Sequence, residues 1–404
     1  MSSIIIYTCE LFKVSGGLSN FKLIFEILIK LRYRVYFCPL LEDIPSLNFT
    51  SPFNNIPIKN ITHQEFIDYF IYPGYEIHCY TIPIENIVSP EILLKKDNVV
   101  IYTEDVIGNP TNQNYVVRWL HFFPIPNAVK HYDFKNDLIC FYSDYIYNFY
   151  KYVCEACNCD DYLTSKITIP NICRIFKFEP EVYSFFQKYL RPPNLDMNKN
   201  TKCFTTRKLF PPYTFTKFTK SVNKKYAKEI LTIHNSKIKK LQNKLIKINT
   251  NKSELMNQIN LLKNNKPDVF SFSVVKEYLE NKYSSLGFEE IEHKTETREF
   301  IEYFCKKDYF LSFDPFTFMS IIASLCGCIS VVKKIGIIDY HTYINGDPFV
   351  KYGIAYGDEG IEHAINTKHL LLPHITEMYN QNTDNVINII NKIENKFNIK
   401  IQKL

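Results

Sequence analysis

Apolar positions in this chain fall into short β-prone runs separated by longer stretches of helical spacing. Ile4 to Thr8 is such a run, a helical stretch follows to Leu31, and Val35 to Pro39 is a second run. Others stand at Asn98 to Tyr102 (NVVIY), at Lys135 to Ser143 (KNDLICFYS), and at Cys203 to Lys208 (CFTTRK). Phe310 to Phe313 is followed by Asp314 and Pro315, helix formers from Phe316 to Leu325, Gly327, and β-branched Ile329 to Val332. This spelling predicts strand, helix, strand: an acceptor and a fixed φ open the helix, and a glycine closes it. Ile335 to Ile338 and YGIAYG (Tyr352 to Gly357) should continue the sheet. Helices are predicted at Ser273 to Leu286, Glu362 to Leu370 and Asn382 to Phe397, the last with Val386, Ile389, Ile390 and Ile393 on one face. The pattern is that of an α/β protein, and 404 residues suggest two domains.

Polar groups gather where the predicted strands end, which in β-α-β units is where a ligand meets the positive end of a helix. Asp314 sits at one such turn. Gly16 and Gly17, in VSGGLSNFK, would let backbone approach a ligand, although a plain tight turn explains them as well. Glu104 and Asp105 follow the NVVIY run, with Gly108, Asn109 and Pro110 just beyond. His121, after Trp119 and Leu120, fits a packing role as readily as a chemical one. Arg207 and Lys208 close a strand before two prolines. A guanidinium that forks onto two oxygens beside a point charge suits a diphosphate, and a solvated basic pair is the alternative.

Charge changes the picture at one place. Between Val222 and Lys266 there are eleven lysines and two glutamates, a local balance of +9 in a chain of net +6, so the remainder is slightly acidic. Leu231, Ile238, Leu245 and Ile259 share one heptad phase, and Leu241, Ile248, Leu255 and Leu262 share its partner phase. Asn249 to Ser253 (NTNKS) can serve as a turn, so a continuous coiled-coil helix and a helical hairpin both fit. Such an arm suits a homo-oligomer contact, an anionic surface, a nucleic-acid tether or a solvated insertion.

The start, MSSIIIYTCELF, has no basic segment before its short apolar run and does not read as a signal peptide. No apolar stretch reaches the length of a membrane span, and twelve cysteines then read as reduced thiols in a cytoplasmic protein. Cys154, Cys157 and Cys159 have spacing that suits zinc, but no second CxxC or HxxxH follows, and helix-packed thiols are the simpler account.

The run SFDPFTF with ASLCGCISVV and YGIAYG resembles the second domain of nucleotide-sugar glycosyltransferases of the two-Rossmann (GT-B) type. There an acid, seven residues, a second acid and a small-residue turn precede a "PVV" strand. Asp314 matches the first acid, whereas Ile322 stands in place of the second. The segment Glu104, Gly108 to Pro110 and Val116 to Trp119 is similar to an "E-x-x-x-GNP…VVRW" signature of a poorly characterised branch of such transferases. That branch occurs in bacterial polysaccharide clusters and large DNA viruses.

The resemblance implies two Rossmann-like domains facing a cleft, at 1–195 and 196–380, with the basic insertion 222–266 in the second. It also implies a terminal helix at 381–404 packing back on the first domain. Sugar transfer from a nucleotide-sugar donor to a glycan or other hydroxyl acceptor would need no metal or other cofactor. Arg207, Lys208 and the amides of Thr317 and Phe318 would neutralise the leaving diphosphate, and Asp314 would hold donor-sugar hydroxyls. Gly16, Gly17 and Asn109 would line the cleft. The base would come from Glu104 or Asp105, then His121. Two other classes fit the same residues: a degenerate transferase fold that binds a glycan or partner without turnover, and a coiled-coil or anionic-surface binding protein.

Overall fold

Two parallel β-sheets organise the chain. The computed structural model describes residues 2–8, 16–39, 84–121, 126–156, 171–172, 183, 201–205, 216–247, 252–264, 272–291, 297–314, 318–334, 340–346 and 350–404. One unit comprises Met1–Glu181, Ile344–Phe349 and Leu372–Leu404, and the other Val182–Tyr343 and Val350–Leu371.

The first unit runs β1 (Ile4–Thr8), α1 (Gly16–Lys30), β2 (Val35–Pro39), α2 (Pro90–Leu94), β3 (Val99–Tyr102) and β4 (Tyr115–Leu120). It continues with α3 (Pro126–Val129), β5 (Leu138–Phe141), α4 (Asp144–Ala156) and β6 (Asn171–Ile172). The strands lie in the order β2-β1-β3-β4-β5-β6, every pair parallel. Parallel neighbours need crossovers that cover both sheet faces, so β3 and β5 are buried at every position and read as unbroken apolar runs. Helix α1 turns Phe21, Ile24, Phe25 and Leu28 into the core, a helical stripe of steps three, one and three.

β5 is shorter than the predicted run 135–143 because its start is consumed by a turn. Asp133 accepts the amides of Lys135 (3.2 Å) and Asn136 (3.1 Å) and the Asn136 side chain (2.7 Å).

The second unit runs β7 (Lys202–Thr205), α5 (Thr216–Lys247), α6 (Lys252–Asn264), α7 (Phe272–Ser285) and β8 (Phe288–Glu290). Then come α8 (Thr297–Phe304), β9 (Tyr309–Ser312), α9 (Phe318–Leu325), β10 (Ile329–Val332), α10 (Tyr340–Gly346), β11 (Ile354–Tyr356) and α11 (Ile361–Thr367). Its sheet order is β11-β10-β9-β7-β8, again all parallel. Phe204, Leu311, Val331 and Ala355, from four different strands, meet Val275 and Leu279 of α7 in one core. Gly353 introduces β11 with φ +70°, and a Cβ there would meet Ser324 Oγ at 2.7 Å. That hydroxyl instead donates to Gly353 O at 2.6 Å, tying α9 to the start of β11.

The basic segment forms a hairpin, not one continuous helix: α5 and α6 are separate helices packed on each other, with His234 Nε2 3.0 Å from Leu262 O. It occupies the crossover between β7 and β8 and leaves the sheet intact.

The chain ends with α12 (Leu371–Asn380) and α13 (Asn382–Phe397). Val386, Ile389, Ile390 and Ile393 of α13 join Phe21 and Leu28 in the core of the first unit. Burying four such side chains contributes on the order of 2 kcal/mol each before entropy is counted. Asn398, left-handed at φ 52°, stops the helix, and Gln402 N then reaches Ser2 O at 2.8 Å beside β1. The predicted bounds of β1, β2, β10 and α13 coincide with the observed ones. The run predicted at Ile335 to Ile338 lies outside the described residues.

Candidate functional site

Each sheet reverses its winding once. In the first unit the chain passes from β1 to β2 on one side and returns to β3 on the other; in the second, β8 and β9 flank β7 in the same way. At such a switch point the crossovers leave on opposite faces, and a crevice opens at the carboxyl ends of the strands.

In the first unit the edge is formed by β1, β3, β4 and the start of α1, whose first turn holds Gly16 and Gly17. Glu104 and Asp105 lie just past the end of β3, and His121 just past β4. The His121 amide donates to Glu104 Oε2 at 3.2 Å, and His121 Nδ1 lies 3.5 Å from Asn20 Nδ2, on α1. Phe21, Trp119 and Tyr142 surround the imidazole, with ring centroids at 4.7, 5.3 and 5.7 Å. Burial pushes the His121 pKa down to about 3, so the ring is neutral at physiological pH. With the Asn20 amide donating to Nδ1, the ring proton resides on Nε2, which is buried and has no hydrogen-bond partner among the described residues. The ring is thus a neutral N–H donor and a weak base.

This burial has a consequence for acid stability. The unfolded chain takes up a proton near pH 6.5 that the folded imidazole refuses until about pH 3. The stabilisation is complete above about pH 6.5 and is lost as pH falls through that window, at up to about 1.4 kcal/mol per pH unit. Urea unfolding at a series of pH values should show this slope, and His121→Gln should flatten it. A variant with the same slope as the native chain would place the titration elsewhere.

The loop after β3 is held from within. Tyr102 Oη lies 2.8 Å from Asn109 Oδ1 and 2.7 Å from Thr111 Oγ1, while Asn109 Nδ2 donates to Gln113 O at 2.7 Å. Asn109 thus shapes the loop that carries Glu104. The Thr103 hydroxyl donates to Asp105.

In the second unit Thr205, Ser312, Val332 and Tyr356 form one row across the strand ends. Asp314 stands two residues past the row, 3% exposed. Ser312 Oγ accepts from Asp314 N at 3.0 Å and donates to Asp314 O at 2.9 Å, a hydroxyl-closed turn that fixes the acid at the edge. Phe318 opens α9, and Thr317, Arg207 and Lys208 lie outside the described residues. Ile322 is buried within α9. The first turn of α9 also holds Ser320, a buried hydroxyl without a hydrogen-bond partner among the described residues.

Asn20, Lys333 and Lys334 were not foreseen from the sequence. Both lysines follow the end of β10; Lys333 Nζ lies 3.0 Å from Asp358 Oδ1, and Lys334 pairs with Glu359. The signal for them was present, since a basic pair after a buried strand is the argument that singled out Arg207 and Lys208. Asn20 carried no signal, because its value depends on a partner 101 residues away.

Among the described residues no group of three or more His, Cys, Asp or Glu side chains is placed to hold a metal ion. Cys154 is buried at the end of α4, and Cys157 and Cys159 lie outside the described residues. No described helix is long and apolar enough to cross a membrane.

The two sheet orders define an α/β protein of two doubly wound, Rossmann-like units, the fold class that takes ligands at its switch points. No family model and no curated protein matches the chain. Two solved structures align with 99% of its length and with all of theirs. One is a trehalose-6-phosphate structure from E. coli bound with UDP-2-fluoro glucose, at 10% identity and a TM-score of 0.44. The other is a trehalose-6-phosphate synthase, at 11% identity and a TM-score of 0.42. Likeness at this level leaves the fold class resting on the sheet orders themselves.

Proposed function

We propose that this protein is a metal-independent glycosyltransferase of the two-Rossmann type, moving a sugar from a nucleotide-sugar donor to a hydroxyl acceptor. The observation that most supports this reading is the buried carboxylate of Asp314, held at the carboxyl edge of the switch-point strands in the second unit. In that role Asp314 holds hydroxyls of the donor sugar. Arg207 and Lys208, which follow β7 in sequence, and the first amides of α9 neutralise the departing diphosphate. Glu104 takes the proton of the acceptor hydroxyl, with Asp105 as the other carboxylate within one residue.

The test is a thermal-shift screen against UDP, GDP, CMP, dTDP and their sugars. Ligand at about 100 times Kd stabilises by about 2.7 kcal/mol. A shift with one nucleotide that is lost in Arg207→Ala supports the donor site and names its base. Silence with all of them removes the reading.

A second reading is favoured by one observation. Where the resembling transferases carry their second acid, Ile322 is buried in α9 and offers no oxygen to a ribose. A chain that binds a glycan or partner without turnover is consistent with that substitution. It would show a ligand-induced shift but no release of nucleoside diphosphate from any donor.

A further inference from the structure

The α5–α6 hairpin is neither part of a sheet nor explained by sugar transfer. Its root is fixed: Ile230 is buried in the core of the second unit, and Glu229 bonds Tyr278 and, at 2.7 Å, Lys282 of α7. Beyond the root the helices are bare. From Leu231 to Leu245 no side chain is buried, and among the described side chains of α6 only Ile259 is. From Ile230 to Lys247 the helix extends by roughly 25 Å at its ordinary rise.

The exposed surface has a definite chemistry. Ile233, Lys237, Lys240 and Lys244 recur at steps of four, three and four, which places them on one ridge of α5, and all four are exposed. Ile233 is 47% exposed and Leu261 of α6 63%. The contact between His234 Nε2 and Leu262 O sets these two aliphatic side chains at one level of the hairpin. The surface therefore offers a row of ammonium groups with large aliphatic side chains toward its root.

We propose that this hairpin docks on the surface of a bilayer containing anionic phospholipid. The +9 balance between Val222 and Lys266 calls for a polyanionic partner and opposes pairing with a second copy of itself. The choice among polyanions follows from what is missing. The segment has no arginine, and from Ala227 to Asn264 it has no aromatic residue. The forked donors and stacking rings that grip nucleic acid are therefore absent. Lysines beside exposed leucine and isoleucine suit a headgroup layer, where ammonium groups meet phosphate and aliphatic side chains reach the acyl boundary.

The test is co-sedimentation of the full chain with phosphatidylcholine vesicles, with and without phosphatidylserine. The expected result is pelleting only with phosphatidylserine, weakened by salt. The triple variant Lys237→Glu, Lys240→Glu, Lys244→Glu should bind at least roughly a hundredfold more weakly, at about a factor of five for each lysine removed. Its exposed positions should leave the thermal transition unchanged. The pair Ile233→Ser and Leu261→Ser should weaken binding without changing its salt dependence. Failure of the native chain to pellet, equal pelleting with neutral vesicles, or a triple variant that pellets normally overturns the proposal. So does tighter binding to a single-stranded oligonucleotide, or a dimer abolished by the same three substitutions. None of these readouts depends on sugar transfer.

Discussion

Glu104→Gln is expected to lower turnover of sugar transfer by about 10²–10⁴-fold while changing KM little, the signature of a proton-transfer group lost from the transition state. Glutamine keeps the carbonyl oxygen that accepts the His121 amide, so the edge between β3 and β4 should survive the change. The melting temperature should therefore stay near that of the native chain. Release of nucleoside diphosphate from a donor–acceptor pair is the measurement. Turnover within a few-fold of the native rate would remove Glu104 from the chemistry and pass the base role to Asp105, for which the same substitution is the next experiment. A large rise in KM with turnover unchanged would instead make Glu104 a binding group.

The largest effect on stability is expected at Asp137. Arg118 is only 1% exposed, and its Nε lies 2.9 Å from Asp137 Oδ2. The guanidinium sits 4.9 Å from the Tyr102 ring centroid and 4.5 Å from that of Tyr132. Its other nitrogens donate to Val106 O at 3.0 Å and to Gly108 O. One cation thus ties central strand β4 to the loop that carries Glu104. Burial raises the Asp137 carboxyl above its ordinary value even with Arg118 beside it. Desolvation offsets much of the attraction in a buried pair, but breaking it leaves a charge stranded. Asp137→Ala should cost about 3–5 kcal/mol in urea unfolding. The double variant Arg118→Met, Asp137→Leu should cost less than the single one, because neither charge remains alone. A single variant within about 1 kcal/mol of the native chain would show that water or a neighbour takes over the role of Asp137.

Legibility differed along the chain for identifiable reasons. β1, β2 and β10 were readable because strands covered on both faces become mostly apolar runs. β4 was visible only as part of a motif, since buried Arg118 breaks the run that would have marked it as a central strand. Asp314 could be placed at a strand end from its neighbours alone: an apolar run precedes it and proline follows. Ser312, which closes its turn, is two residues away and still had no signal, because a serine hydroxyl there is equally at home in solvent.

The sequence by itself determined the alternation of strands and helices, the bounds of several of them, the basic character of the crossover arm and the acids at the strand ends. Those features are set by propensity, periodicity and capping, which act over a few residues. Only the tertiary structure decided the order of strands, and with it the two switch points. One apolar run makes as good a parallel neighbour as another until crossover helices and loop lengths select among them. It also decided that the heptads fold back as a hairpin and that His121 is caged as a neutral donor beside Asn20 and Glu104. Hydrogen bonds and desolvation between residues far apart in the chain fix those outcomes, and no local pattern encodes them.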